Sequence, residues 1–247
     1  MTPEPPEAQL PGNAAMVLAA GLGKRMYPLT VDRPKPLVEV AGKRLIDYAF
    51  DHLRSAKVTR AVVNVHYLAE QVEDWARSQT APEIVISDER QGLLDTGGGI
   101  VKALGHLGPA PFFVLNSDSF WLDGTTPALE RLRRAWDGTQ MDSLLLLSPL
   151  ENSIGYEGSG DFRMDAGWRL TRRQPGETAP FIYAGCYLVA PSLFTAAPQG
   201  AFSMNLLWDA ALARGRLFGL VHDGLWIHVG RPDSIAYAER TMESYAP

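Results

Sequence analysis

Short apolar runs alternate with amphipathic stretches along the first three-fifths of the chain, in the rhythm of strands and helices taken in turn. The apolar runs are Ala15–Ala20, Arg60–Val65, Glu83–Ser87, Phe112–Asn116 and Ser143–Ser148. Each is short and dominated by Val, Ile, Leu, Phe or Ala, as in strands covered on both faces. Helical candidates lie between them at Arg44–Ala56, Leu68–Ser78, Gly98–Leu107 and Thr126–Trp136. In the first of these, Leu45, Ala49 and Leu53 recur every four residues, which makes a stripe that packs on a sheet. Repeated β-α-β alternation predicts an α/β fold with a mainly parallel sheet flanked by helices.

The pattern changes after Pro149. Gly155, Gly158 and Gly160 lead into hairpin-like segments at Asp161–Met164, Trp168–Arg173 and Phe181–Val189. A helix is expected over Asn205–Gly215, strands over Leu217–Val221 and Trp226–Val229, and a terminal helix with an Asp cap over Asp233–Tyr245. Met1–Gly12 carries four prolines and no periodicity and reads as a flexible arm. Residues 13–247 then form one domain, with a first part over about 13–148 and a second, a lid or ligand-binding part, over about 149–247.

Composition narrows the function classes. The 247 residues carry 23 Lys+Arg and 28 Asp+Glu, a formal net charge of −5. Proteins that bind nucleic acid or membrane surfaces usually show a basic excess, so neither partner is expected. A single cysteine, Cys186, excludes an internal disulfide and a cysteine zinc cluster, and it reads as a buried small residue. No apolar run approaches the length of a membrane span, and the leader has no apolar core, so the expected location is cytoplasmic.

The sharpest local feature is Leu18-Ala-Ala-Gly21-Leu-Gly23-Lys-Arg25-Met-Tyr-Pro28-Leu-Thr30, followed by Arg33-Pro-Lys35-Pro-Leu-Val38. Glycines directly after the first strand let the backbone approach a phosphate chain, and the N–H groups of such a loop make an anion nest. Arg25 and Lys35 add positive charge. The spacing fits neither G-x-G-x-x-G nor the P-loop, and no acid closes the second strand to hold a ribose, so a dehydrogenase is not indicated. Phe112–Asn116 ends in Asn116-Ser117-Asp118, a polar cluster where open α/β sheets gather ligands. The turn Asn64-Val-His66-Tyr67 opens on the same edge, and Asn64 and His66 are candidate nucleotide contacts or simply turn residues. Leu94-Asp95-Thr96-Gly97-Gly98-Gly99 reads either as a helix start capped by Thr96 or as a close-approach surface for a ligand.

Taken in order, these segments resemble the sugar-1-phosphate nucleotidyltransferases, whose signature runs L-A-A-G-x-G-x-R-x-x-P-L-T and then x-P-K-P-L. The resemblance extends from Ala14 to the terminal helix. It implies a Rossmann-like, GT-A-like mixed sheet, divided between nucleotide (13–148) and sugar (149–247). A nucleoside triphosphate and a sugar 1-phosphate are joined with release of pyrophosphate, and magnesium, or else manganese, is the cofactor. It implies catalytic roles for Arg25, Lys35 and Asp118. Nucleotide contacts fall on Ala19, Ala20, Gly21, Gly23, Arg25, Lys35, Asn64, Asp95, Thr96, Gly97 and Gly98. Sugar contacts fall on Asn116, Gly160, Asp161, Tyr183 and Gly185.

Asp118 matches the family's metal-binding aspartate. The late segment Gly224-Leu-Trp226-Ile-His228-Val-Gly230 has His228 where a second aspartate usually stands. His228 is thus a metal ligand, a tolerated replacement, or one whose place another carboxylate such as Asp223 takes. The chain has no hexapeptide repeats, so no β-helix domain is expected. Among short members it looks most like those using UTP and N-acetylmuramate 1-phosphate, with those using GTP and mannose 1-phosphate as nearest rivals. A non-catalytic nucleotide-sugar sensor is the alternative of another class. A monomer and a homodimer are equally compatible with the sequence.

Overall fold

The computed structural model of the protein describes residues 11–245. The remainder of the arm, 1–10, lies outside the described residues. Pro11 and Gly12 are tied down: the Gly12 N–H donates to the Pro111 carbonyl at 2.7 Å, and Arg133 donates to both their carbonyls.

In chain order the strands are β1 (Ala14–Leu18), β2 (Glu39–Val40), β3 (Lys43–Arg44), β4 (Arg60–Val65), β5 (Glu83–Asp88), β6 (Phe112–Asn116), β7 (Ser119–Leu122), β8 (Ser143–Pro149), β9 (Ser153–Ile154), β10 (Phe162–Met164), β11 (Leu170–Arg172), β12 (Phe181–Val189), β13 (Leu217–Val221) and β14 (Leu225–His228). The helices are α1 (Leu45–Ser55), α2 (Ala69–Arg77), α3 (Asp95–Leu107), α4 (Ala128–Ala135), α5 (Asn205–Ala213) and α6 (Asp233–Ser244).

The main sheet is mixed. Its parallel part runs β5-β4-β1-β6, and β12 joins β6 antiparallel, carrying β10 and β11 beyond it and pairing with β8, which in turn pairs parallel with β13. Strand side chains alternate between faces. On β1, Ala15 and Val17 join the core under α1, α2 and α4, while Met16 joins the core under α3 and α5. Both faces are therefore covered, which explains why these strands read as unbroken apolar runs. A smaller sheet, β7-β14-β9, has its own core against α1 and α6. No helix among the described residues is long and apolar enough to cross a membrane.

Two local expectations are corrected. Helix α6 begins at Asp233 with Pro232 in the cap position and no side-chain cap bond, so Asp233 favours the helix through its dipole rather than as a cap. Helix α3 begins three residues before Gly98, and Thr96 does not cap it. The Gly97 and Gly98 N–H groups instead donate to the Phe202 carbonyl at 2.9 and 3.2 Å, a tertiary partner that no local pattern announces.

Candidate active site

The chain leaves β1 toward β4 on one side and returns to β6 on the other. The carboxyl ends of β1 and β6 thus part at a topological switch point, the place where open α/β sheets bind ligands. Two adjoining hollows open there, of ≈ 220 and ≈ 280 Å³, and they share Leu18, Asp95, Thr96 and Asn116.

The smaller hollow lies beneath the loop that follows β1. Ala19, Ala20, Gly21, Lys35, Asn64 and Asp118 line it. The Ala19 N–H is engaged by Asn64 Oδ1 at 2.7 Å. The N–H groups of Ala20, Gly21 and Leu22 have no acceptor among the described residues, as an anion nest requires. A Cβ at Gly21 would meet open space. Gly23 does not line the hollow. Its φ of +64° starts a tight turn over Lys24–Met26, and a Cβ there would sit 3.1 Å from Cβ of Lys35. Gly23 therefore lets the loop fold down on the lysine.

Lys35 Nζ stands 3.1 Å from Asp118 Oδ2, with the lysine side chain only 10% exposed and the aspartate 34% exposed. Burial is the largest influence on the Asp118 carboxyl and pushes it up. Attraction from Lys35, then from His228 and Arg25, with the Lys35 hydrogen bond, outweighs it and leaves the group below the usual carboxylate range. His228 is brought alongside by register: β14 pairs antiparallel with β7, His228 opposite Ser119, and the Val229 N–H reaches the Asp118 carbonyl. Burial lowers the His228 pKa, Asp118 opposes this, and Lys35 and Arg25 reinforce it, so the ring is held neutral. Arg25 is exposed and shares a neighbouring polar hollow with His228.

Asn64 and Glu89 form a support that the sequence did not suggest. Asn64, almost fully buried, donates through Nδ2 to Glu89 Oε1 at 2.8 Å while holding Ala19 through Oδ1. Glu89 Oε2 accepts the Leu94 N–H at 3.0 Å, and the Glu89 carbonyl bonds His66 Nδ1 at 2.8 Å. The Asn64 amide and His66 Nδ1 thus fix the loop, Asn64 doing so from the wall of the smaller hollow. Within the run Asp88-Glu89-Arg90, Glu89 looks like one more solvated charge; only its place just after β5, at the sheet edge where the strands of Leu18 and Asn64 end, hints otherwise.

Asp95 and Thr96 reach both hollows. Asp95 has φ +57°, a left-handed conformation rare for a non-glycine, and its Oδ1 accepts the Thr96 N–H at 2.6 Å. Thr96 Oγ1 accepts the Met204 N–H at 2.8 Å. Gly97 and Gly98 do not line the crevice. A Cβ at Gly97 would meet the Phe202 ring at 2.3 Å and one at Gly98 the Gly200 carbonyl oxygen at 2.2 Å, so their smallness serves packing against 200–202.

Asn116, Asp161 and Tyr183 line the larger hollow, and Asp161 Oδ2 accepts the Tyr183 N–H at 2.9 Å. Gly160 and Gly185, expected as sugar contacts, do not line it, and a Cβ at Gly160 would meet the Ala179 carbonyl oxygen at 2.2 Å. Gly185, at φ +82°, occupies the register shift in β12, where a Cβ would lie 2.4 Å from Ser119 Oγ. Phe162, Arg172, Tyr187 and Trp208 also line this hollow and were missed, because they read as ordinary strand and helix residues. Cys186 is fully buried, and burial, reinforced by Asp123, pushes its thiol well up, as for an inert core residue.

The family model described as nucleotidyl transferase matches residues 14–156, more than half of the chain. The chain is 47% identical to N-acetylmuramate alpha-1-phosphate uridylyltransferase of Caulobacter vibrioides, over 92% of this chain and 96% of that one. It is 32% identical to the protein of the same name from Neisseria meningitidis, over 87% and 92%. Among solved structures, UDP-glucose pyrophosphorylase complexed with UDP-glucose superposes with a TM-score of 0.76 at 16% identity, over 94% of this chain and 98% of that one. HddC from Yersinia pseudotuberculosis complexed with GMP-PN superposes with a TM-score of 0.74 at 21% identity, over 93% and 99%. These likenesses establish a shared fold, and the family model with the two sequence relatives establishes more: the chain belongs to the nucleotidyl transferase family and is an enzyme of it.

Proposed function

We propose that the protein joins UTP to N-acetylmuramate 1-phosphate and releases pyrophosphate. The observation that carries the chemistry is the Lys35–Asp118 pair, set between a loop with free N–H groups and a second hollow of sugar-sized volume. The substrates are those named for the relative at 47% identity. On this reading the reaction belongs to the cytoplasm and to peptidoglycan sugar recycling.

An oxygen of the sugar 1-phosphate bonds to the α-phosphorus of UTP as the bond from that phosphorus to the β-phosphate bridging oxygen breaks. No protein nucleophile is required, so positioning and charge neutralisation do the work. The N–H groups of Ala20 to Leu22 and Arg25 hold the triphosphate. Lys35, fixed by Asp118, directs its remaining ammonium protons at the oxygens of the reacting phosphates.

The donor set suits a hard divalent cation. Asp118 Oδ1 has no protein partner among the described residues, and the neutral His228 ring lies beside it. No group of three His, Cys, Asp or Glu converges among the described residues. Magnesium commonly binds through one or two carboxylates plus phosphates and water, so Asp118 would hold it, and an imidazole at His228 tilts the site toward manganese. Bound there, the metal neutralises charge on the phosphate oxygens.

The test is pyrophosphate release across nucleoside triphosphates and sugar 1-phosphates, with magnesium or manganese, against Asp118→Asn. Turnover with UTP and N-acetylmuramate 1-phosphate, reduced about 10²–10³-fold in the variant, is expected by analogy with loss of one charge-stabilising group. Turnover with GTP and mannose 1-phosphate instead would replace the substrates. Binding without turnover in every combination would make the protein a sensor.

A further inference from the structure

Three residues that line the larger hollow carry buried polar atoms without partners. Tyr183 Oη, Tyr187 Oη and Trp208 Nε1 make no hydrogen bond and, with His222 Nδ1, are the buried side-chain atoms so left among the described residues. The three rings touch one another, with centroids 5.9 Å apart for Tyr183 and Tyr187, 4.9 Å for Tyr183 and Trp208, and 5.2 Å for Tyr187 and Trp208. Native proteins pair nearly all such groups, so three orphans in one wall call for an explanation. An indole N–H only donates, whereas a phenol both donates and accepts. Aromatic faces around those atoms offer an apolar bed. An acylamino group matches all three features, with a carbonyl to accept, an N–H to donate and a methyl to bury.

Arg172 is the single cationic residue lining this hollow among the described residues. Asp209 holds its Nε, Asn205 accepts from its Nη2 at 2.9 Å, and its guanidinium lies 5.2 Å over the Phe162 ring. Nη1 has no acceptor among the described residues. The plane is therefore fixed with one edge open, the arrangement that suits a carboxylate. The lining acids are already engaged, Asp95 by the Thr96 N–H and Asp161 by the Tyr183 N–H.

We infer that Tyr183, Tyr187 and Trp208 receive the acylamino group of the sugar, and that Arg172 receives its carboxylate. Arg172 then selects an acidic N-acylated hexose 1-phosphate over its neutral counterpart. The inference rests on the substrate reading above and names the residues that enforce it.

The test compares kcat/KM at saturating UTP for N-acetylmuramate 1-phosphate, for N-acetylglucosamine 1-phosphate, which lacks the carboxylate, and for glucose 1-phosphate, which also lacks the acylamino group. Arg172→Gln should lose about 10–100-fold with the first sugar and no more than about 3-fold with the second, the span expected for a charged hydrogen bond. Tyr187→Phe should lose about 3–10-fold with both N-acylated sugars and less with glucose 1-phosphate. Its ligand-free Tm should hold or rise, because an orphaned hydroxyl is removed; a merely structural tyrosine would lower it. If the wild type prefers the acidic sugar but Arg172→Gln loses equally on both N-acylated sugars, the inference fails and the substrate reading stands. A wild type that prefers glucose 1-phosphate overturns both.

Discussion

Glu89 takes donors from two separate elements, the Asn64 amide at the end of β4 and the Leu94 N–H before α3. A carboxylate accepts with both oxygens, whereas an amide accepts with one and presents protons with the other. Glu89→Gln therefore sets a donor against a donor in a position 1% exposed, at a cost of about 1–3 kcal/mol in urea unfolding. Because Asn64 in turn fixes the Ala19 N–H, the same variant should raise the KM for the triphosphate more than it lowers kcat. Lost stability with an unchanged KM would show that Glu89 only packs. Asn64 itself was legible as a site-edge residue, but its inward-facing role was not, since the partner that turns it inward lies 25 residues away.

At the scale of elements, Asp142 bridges the approach to β8 and the segment between α5 and β13, accepting from Arg214 Nη2 at 2.8 Å and Arg216 Nε at 2.7 Å. Burial, the largest influence, raises its pKa, but the hydrogen bonds and charges of the two arginines outweigh it and leave the group below the ordinary value. A depressed carboxylate stabilises the fold at neutral pH and loses that contribution as pH falls through its lowered pKa. Asp142→Asn should then cost about 1–2 kcal/mol at pH 7, the low end for charged hydrogen bonds because both arginines are partly exposed. The gap to the wild type should close below about pH 4, near and under the ordinary carboxylate value. A constant gap across pH would mean that shape, not charge, holds the junction.

The strands legible from sequence were those buried on both faces: Arg60–Val65, Phe112–Asn116, Phe181–Val189 and Leu217–Val221 appear with the expected bounds. β7 was not legible. It follows β6 after only Ser117 and Asp118, and its partner β14 comes more than a hundred residues later. The Leu94–Gly99 motif likewise singled out Gly97 and Gly98, but as nucleotide contacts rather than as room for the segment 200–202, a hundred residues onward.

For the whole molecule, the crevice is assembled from both stretches of the chain: Leu18, Asp95 and Asn116 from the first, Asp161, Tyr183 and Trp208 from the second. Ligands that fill it bridge elements joined mainly through β12, so binding should appear as global stability. UTP at about 100 times its Kd adds about 2.7 kcal/mol to a two-state unfolding free energy. At about 2–4 °C per kcal/mol for a chain of this size, Tm should rise by about 5–11 °C. If Asp118 and His228 hold the metal as proposed, part of that rise should need magnesium or manganese, since a metal there would gather the rest of its ligands from phosphates and water. Asp118→Asn keeps an acceptor for Lys35 but removes the charge, so it should abolish the metal-dependent part and leave most of the metal-independent part. Lys35→Met should instead weaken the UTP-dependent shift with or without metal. If Asp118→Asn keeps its full metal-dependent shift, the cation is held elsewhere, and the same titration on His228→Ala then decides whether the imidazole is the group that holds it.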